Sequence, residues 1–122
     1  MKARLHKYPT KKAKEAFAHL LGRKTVAPMR LAEVFAGDIV QERGKIEQEI
    51  AAGFVVICDR YLHSTLAYQG VGAGFGKVGK MIAGLEALVP DLVILLDMDA
   101  NQSAGRKRAQ KRLGRLESDL LF

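Results

Sequence analysis

The feature that most constrains the fold is a run of apolar residues that ends abruptly in polar chemistry. Phe54 to Cys58 has the length and the β-branched composition of a strand buried on both faces, and Asp59, Arg60 and Tyr61 follow it directly. In open parallel α/β sheets, ligands bind at the carboxyl ends of the strands. The sequence therefore predicts a sheet with a ligand site where this strand ends.

The rest of the chain alternates between helical and strand patterns. Apolar residues at helical spacing predict a first helix that begins near Thr10 as its N-cap and ends at Gly22. They then predict one long helix, or two joined helices, ending at Gly53. We expect a short strand at Arg4 to Tyr8 and a second buried strand at Leu92 to Leu96. Strands separated by long helical crossovers indicate a doubly wound parallel α/β sheet.

Glycine punctuates the region after the central strand. Four glycines between Gly70 and Gly76 predict a loop, because glycine weakens a helix interior. No Lys-Ser or Lys-Thr follows them, so we do not interpret the run as a phosphate-binding loop. Helical periodicity resumes from Lys77 to Leu88, and a strongly basic helix-like segment covers about residues 102–117.

Size and composition favour one globular domain with an anionic partner. The 122 residues are 48% hydrophobic, and their net charge of +7 suits a nucleotide, a nucleic acid or an anionic surface. The single cysteine, Cys58, excludes a disulfide framework and favours a reduced, cytoplasmic setting. No leader peptide or membrane segment is expected, since the longest apolar run is far too short to span a bilayer.

Several side chains near the central strand could bind a nucleotide. The fork of the Arg60 guanidinium matches two phosphate oxygens, although an ion pair at the strand end is an equal alternative. On a helix, four polar or aromatic residues share one face and suit a heterocyclic base and a sugar: Ser64, Thr65, Tyr68 and Gln69. Phe35 fits either the core or a stacking platform. The three histidines lack metal-ligand spacing, so no metal site is expected.

These motifs together resemble thymidylate kinases, from the second strand of that family onward and over nearly all of the chain. The most specific part is D-R-Y-x-x-S-T-x-A-Y-Q-G, which begins at Asp59. K-Y-P-T at Lys7 to Thr10 resembles the aromatic-proline element of the monophosphate pocket. L-A-E-V-F-A-G-D, ending at Asp38, resembles the helix whose Phe stacks on thymine. P-D-L leading to Asp97 matches a strand entry, and the basic segment from Arg106 to Glu117 resembles the lid.

The resemblance implies a role for each matching residue. Arg60 would hold the dTMP monophosphate and assist transfer, and Asp59 would lie near the sugar and the metal. Ser64, Thr65 and Gln69 would read the base edge. Tyr68 would pack under the deoxyribose and disfavour a 2′-hydroxyl, while Phe35 would stack on the base. Lid arginines would bind ATP phosphates, with the first and last also catalytic: Arg106, Arg112 and Arg115. The expected cofactors are ATP and Mg²⁺.

Three departures from the family pattern qualify these expectations. Ile39 stands where the family has an arginine, and Gly114 stands where the lid has an aspartate. No G-x-x-x-x-G-K-S/T motif occurs. The implied fold is thus an incomplete doubly wound sheet of the P-loop kinase type. It lacks the central P-loop strand, which would lie between the strands ending at Asp59 and Asp97.

That gap predicts association and leaves the function open. Unpaired strand edges invite pairing, so we expect a homo-oligomer or a partner chain that completes the sheet. The chain would be a truncated kinase, a separately encoded half or a degenerate copy. It would either transfer phosphate from ATP to dTMP or bind nucleotides or partners without catalysis. A third reading, a basic nucleic-acid-binding protein, has only the charge in its favour, since no recognised module accompanies it.

Overall fold

The computed structural model of the chain describes residues 1–109. Within that range the elements are two strands and six helices: β1 (Ala3–Lys7), α1 (Lys14–Leu20), α2 (Pro28–Val40), α3 (Arg43–Ala51), β2 (Val55–Asp59), α4 (Leu62–Ala73), α5 (Phe75–Ala83) and α6 (Ala100–Ala109). Both strands are therefore confirmed. The prediction that the central strand is buried on both faces is wrong, because Val55 and Ile57 on one face are 43% and 52% exposed. The predicted basic helix is described only as far as residue 109.

The two strands form a parallel sheet whose carboxyl ends coincide. The register runs from Ala3 beside Val55 to Lys7 beside Asp59. One residue past the ladder, the Tyr8 N–H donates to the Asp59 carbonyl at 3.3 Å. The residues that follow both strands therefore begin at the same edge, which is where the ligand site was predicted.

The prediction of a buried strand at Leu92 to Leu96 is wrong for this structure. These residues form no regular element, and between 54% and 90% of each one's surface is exposed. An apolar run becomes a strand only when a neighbour pairs with its backbone N–H and C=O groups. In the described range β2 pairs with β1 alone. The observed fold is mixed α/β with a two-stranded parallel sheet, and the absent central strand stays a prediction.

The first helix begins later than the sequence pattern predicts. Ala13, and not Thr10, occupies the N-cap position of α1. The Thr10 hydroxyl instead donates to the carboxylate of Asp38 on α2. The alternative of two joined helices before Gly53 is confirmed by α2 and α3.

Within residues 1–109, most buried apolar residues belong to two hydrophobic clusters that share helix α2. One lies between α1 and α2 and is built from Ala13, Ala16, Val26, Leu31 and Phe35. The other joins α2 to the sheet edge and α4, through Tyr8, Ala36, Ile39 and Leu62. Helix α2 contributes to both because its buried residues recur at helical spacing.

The predicted loop from Gly70 to Gly76 is wrong except at Gly74. Helix α4 continues through Gly70 and Gly72, and only Gly74, with φ of 98°, separates it from α5. A Cβ at Gly72 would lie 2.7 Å from Cγ of Pro28, at the start of α2. Close packing of α4 on α2 therefore requires glycine there, and this packing outweighs the intrinsic preference against helix. Helix α5 also ends earlier than predicted, at Ala83.

This close approach predicts opposite effects for two glycine substitutions. Gly72→Ala should lower the free energy of unfolding by about 1–3 kcal/mol, because the added methyl group overpacks the α2–α4 contact. Gly76→Ala in α5 meets nothing within 4 Å. It should raise the free energy of unfolding by about 0.5–1 kcal/mol through helix propensity. Urea unfolding followed by circular dichroism measures both, and equal destabilisation by the two variants would contradict the packing argument.

Candidate functional site

A cavity of about 250 Å³ opens at the carboxyl edge of the sheet, between the two core clusters. Its walls come from the segment after β1, from the end of α1, from α2, from the segment that joins β2 to α4, and from α4 itself. The lining residues are Tyr8, Pro9, Leu20, Phe35, Ile39, Arg60, Tyr61, Ser64, Thr65, Tyr68 and Gln69. Most of this lining is apolar or aromatic, with a few polar groups, which is the usual composition of a small-molecule site.

Six of the residues singled out from the sequence line this one cavity. Helix α4 places four of them on one face, as their spacing predicted: Ser64, Thr65, Tyr68 and Gln69. Thr65 and Gln69 are each only 3% exposed. Phe35 from α2 and Arg60 from the end of β2 complete the set. Burial of a hydroxyl and an amide in an apolar cavity favours ligands that hydrogen-bond to them.

Arg60 adopts a backbone conformation that side-chain-bearing residues rarely use. Its φ is 68°, in the left-handed region. Its Cζ lies 5.1 Å from the centroid of the Tyr68 ring, within cation–π distance. Strain of this kind persists where surrounding structure holds it, often at binding sites. The turn places the Arg60 guanidinium beside the Tyr68 ring of α4, and both side chains line the cavity.

The remaining predicted site residues lie elsewhere. Asp59 does not line the cavity; its side chain is 55% exposed and lies 3.9 Å from Nζ of Lys7. Arg106 is exposed on α6 and does not line the cavity. Arg112 and Arg115 fall outside the described residues. Within residues 1–109, no group of three or more His, Cys, Asp or Glu is arranged to hold a metal ion.

Sequence reasoning missed three cavity residues. Leu20 and Ile39 belong to the apolar patterns that predict helices, Ile39 is also a departure from the family pattern, and Tyr61 is one of the polar residues that follow the central strand. The Tyr61 hydroxyl donates to the Leu88 carbonyl at 2.8 Å, which fixes its ring against the cavity. The available signal was the position of Tyr61 directly after the strand. All three tyrosines of the chain line the cavity, and the chain contains no tryptophan.

Tyr8 packs against Tyr61, but its hydroxyl, unlike that of Tyr61, makes no hydrogen bond to the described residues. The rings meet edge to face, with centroids 6.4 Å apart. Tyr8 is 7% exposed, and its buried hydroxyl has no hydrogen-bond partner among the described residues. Burial, with smaller contributions from Cys58 and Glu42, raises the pKa of Tyr8 above its usual value. Burial also raises the pKa of Tyr61.

Two phenylalanine substitutions should therefore act in opposite directions. Tyr8→Phe should raise the free energy of unfolding by about 1 kcal/mol, because it removes a buried hydroxyl without a partner. Tyr61→Phe should lower it by about 1 kcal/mol, because it leaves the Leu88 carbonyl without its donor. Urea unfolding at neutral pH measures both. A loss of stability in Tyr8→Phe would contradict the assignment.

The same pair predicts a pH dependence. Burial raises the pKa of Tyr8 in the folded state above its unfolded value of about 10. The free energy of unfolding is therefore unaffected by this group below about pH 10, and it falls as pH rises from there towards the folded pKa, because only the unfolded state can lose the proton easily. Stability should therefore fall at alkaline pH, and less steeply in Tyr8→Phe. An identical alkaline slope in that variant would show that Tyr8 does not titrate as described.

Comparison with known proteins identifies the family of the chain that forms this cavity. The family model for thymidylate kinase matches residues 8–120. The chain belongs to the thymidylate kinase family. The match includes every residue that lines the cavity.

Curated relatives agree with the family match over parts of their length. A thymidylate kinase of Solidesulfovibrio magneticus is 38% identical over 122 residues, covering 85% of this chain and 56% of the relative. One from Cutibacterium acnes is 47% identical over 64 residues, which are 50% of this chain and 31% of the relative. One from Chlamydia caviae is 38% identical over 78 residues, 60% of this chain and 38% of the relative. The chain thus spans about half or less of the length of these thymidylate kinases.

The described range contains no helix long and apolar enough to cross a membrane.

Proposed function

We propose that this chain is a thymidylate kinase-like protein that binds dTMP in the cavity at the carboxyl edge of the sheet. The observation that carries the proposal is the convergence of six predicted residues, from α2, the end of β2 and α4, on one cavity. Family membership supports the same ligand class.

Each wall of the cavity has a role in this proposal. Arg60 binds the monophosphate, for which a planar guanidinium is well suited. Phe35 stacks on the thymine ring, and Tyr68 packs under the deoxyribose and disfavours a 2′-hydroxyl. The buried Thr65 and Gln69, with Ser64, read the polar edge of the base. Asp59 lies outside the cavity, so its proposed contact near the sugar and metal requires a bound ligand that extends past the rim.

The site for the phosphate donor, ATP, is only partly represented in this sequence. The family uses ATP and Mg²⁺, and the chain lacks the G-x-x-x-x-G-K-S/T motif whose backbone N–H groups and lysine bind ATP phosphates. The proposed reaction, transfer of the γ-phosphoryl group from ATP to dTMP, therefore assigns this chain the acceptor side. Lid arginines would neutralise the transferring phosphoryl group: Arg106, Arg112 and Arg115.

Calorimetry with a panel of ligands tests the acceptor assignment. Saturable binding of dTMP is expected, with weaker binding of thymidine, because the phosphate contact to Arg60 is lost. The ribonucleotide analogue of dTMP should bind more weakly than dTMP if Tyr68 excludes the 2′-hydroxyl. Absence of saturable dTMP binding would overturn the proposal.

A second candidate function is a non-catalytic nucleotide-binding or partner-binding protein. It is favoured by the exposed apolar segment Leu92 to Leu96 together with the outer edge of β2, which is unpaired in the described range. Such an edge associates readily, either with a second copy or with a partner chain that completes the sheet. Sedimentation and an assay of dTMP phosphorylation separate the candidates. Binding of dTMP without turnover, with or without association, would favour the second one.

A further inference from the structure

The segment Tyr8–Thr10 forms one wall of the cavity, and its two ends are held by different elements. At one end the Tyr8 N–H donates to the Asp59 carbonyl of β2 at 3.3 Å. Pro9, next along the wall, has no N–H to donate. At the other end Thr10 is held by Asp38 of α2. The wall is therefore held to α2 in two ways, by the packing of Tyr8 on Ala36 and Ile39 and by the polar contact between Thr10 and Asp38.

That contact uses both donors of Thr10. The backbone N–H of Thr10 donates to Oδ2 of Asp38 at 2.6 Å, and the Thr10 hydroxyl donates to Oδ1 at 2.5 Å. The Gln41 side-chain amide donates to the same Oδ1 at 2.8 Å. Asp38 is only 5% exposed, so three donors converge on a carboxylate that is largely removed from water. Hydrogen bonds to a charged acceptor are shorter and stronger than neutral ones, and losing one in a buried site is costly.

Helix α2 connects this contact to the cavity. Phe35 lies three residues before Asp38 and Ile39 directly after it, and both line the cavity, as do Tyr8 and Pro9 on the opposite segment. Asp38 and Thr10 do not line it. The carboxylate therefore acts through its neighbours, by fixing the separation between the wall that carries Tyr8 and the helix that carries Phe35.

We propose that Asp38 is a positioning residue for the nucleotide cavity. Its two hydrogen bonds from Thr10, which we call the Thr10–Asp38 contact, hold the Tyr8–Pro9 wall against α2 at the separation that a bound base and sugar require. The functional consequence of this inference rests on the proposed dTMP site, whereas the Thr10–Asp38 contact can be tested without ligand.

Four variants distinguish an effect of the Thr10–Asp38 contact on dTMP affinity from an effect on the stability of the fold. Asp38→Asn keeps the size of the side chain but leaves one oxygen for three donors, and should weaken dTMP binding about tenfold. Thr10→Val removes the hydroxyl donor and should weaken binding about three- to tenfold. Thr10→Ser restores both donors and should stay within about twofold of the unsubstituted chain. Glu33→Gln, an exposed carboxylate on the same helix paired with Arg30 at 3.5 Å, is the matched control and should leave affinity unchanged.

Affinities are measured by calorimetry at urea-free conditions in which each variant is folded, with urea unfolding recorded in parallel. A residue that only stabilised the fold would lower the unfolding midpoint and leave the dTMP affinity of the folded protein unchanged; that result would overturn the proposal. If Asp38→Asn fails to fold, the comparison of Thr10→Val with Thr10→Ser decides, and equal affinities for those two would also overturn it.

Two ligand-free measurements distinguish failure of this proposal from failure of the dTMP site. The Thr10 amide hydrogen, followed by NMR exchange, should exchange at least about tenfold faster in Asp38→Asn than in the control. Iodide quenching of tyrosine fluorescence should increase, because all three tyrosines line the cavity. If both changes are seen but neither the unsubstituted chain nor any variant binds dTMP, the positioning role of the Thr10–Asp38 contact is supported and the dTMP assignment is overturned. Unchanged exchange and unchanged quenching would overturn the proposal that Asp38 positions this wall.

Discussion

Replacing Arg60 with glycine or alanine should abolish most of the dTMP affinity while the two variants differ in stability. Loss of hydrogen bonds between a guanidinium and a phosphate removes about 1.5–3 kcal/mol, which is about ten- to hundredfold in affinity. Both variants lose these bonds equally. Because φ at this position is 68°, glycine relieves a strain that alanine keeps. Arg60→Gly should therefore be more stable than Arg60→Ala by about 1 kcal/mol.

The measurement combines calorimetry with urea unfolding, and thymidine supplies the control ligand. Thymidine lacks the phosphate, so its affinity should change little in either variant. Arg60→Lys keeps the charge but not the planar fork, and should recover only part of the dTMP affinity. Equal loss of thymidine and dTMP binding would show that Arg60 shapes the cavity and does not bind the phosphate.

Replacing Phe35 with leucine should weaken thymidine and dTMP by the same factor. Stacking of a base on an aromatic side chain contributes about 1–3 kcal/mol, so the expected loss is about five- to hundredfold. Leucine keeps most of the apolar volume, and the free energy of unfolding should fall by no more than about 1.5 kcal/mol. The pattern differs from that of Arg60, which should affect dTMP alone.

Phe17→Leu is the matched control for this experiment. Phe17 lies on α1 and does not line the cavity. The same substitution there should leave both affinities unchanged. If Phe35→Leu loses stability but no affinity, Phe35 is a core residue only, which is the alternative that the sequence pattern left open.

The residues of the cavity differ in how far the sequence could predict them. The spacing of Ser64, Thr65, Tyr68 and Gln69 places them on one helix face whatever surrounds that helix, so their convergence was predictable. Leu20 and Ile39 reach the cavity only because α1 and α2 pack beside it. Nothing in the local spacing of either residue distinguishes a cavity wall from an ordinary core position.

The two largest errors in the predicted secondary structure have a common cause. The glycines at 70 and 72 predicted a loop by intrinsic propensity, but both lie within α4, and at Gly72 the close approach of Pro28 leaves no room for a side chain. The composition of Leu92 to Leu96 predicted a strand, but no strand of the described residues pairs with this segment. In both cases a partner distant in sequence decides the local structure.

The sequence by itself determined the class of fold, the central strand and the polar residues at its end, because period and composition are local properties of the chain. The tertiary structure alone decided that Asp38 binds Thr10, two residues 28 positions apart. It also decided that Asp59 does not line the cavity while Arg60 does. Hydrogen-bond partners and the direction of a side chain at a turn depend on how elements pack, which no local pattern of residues contains.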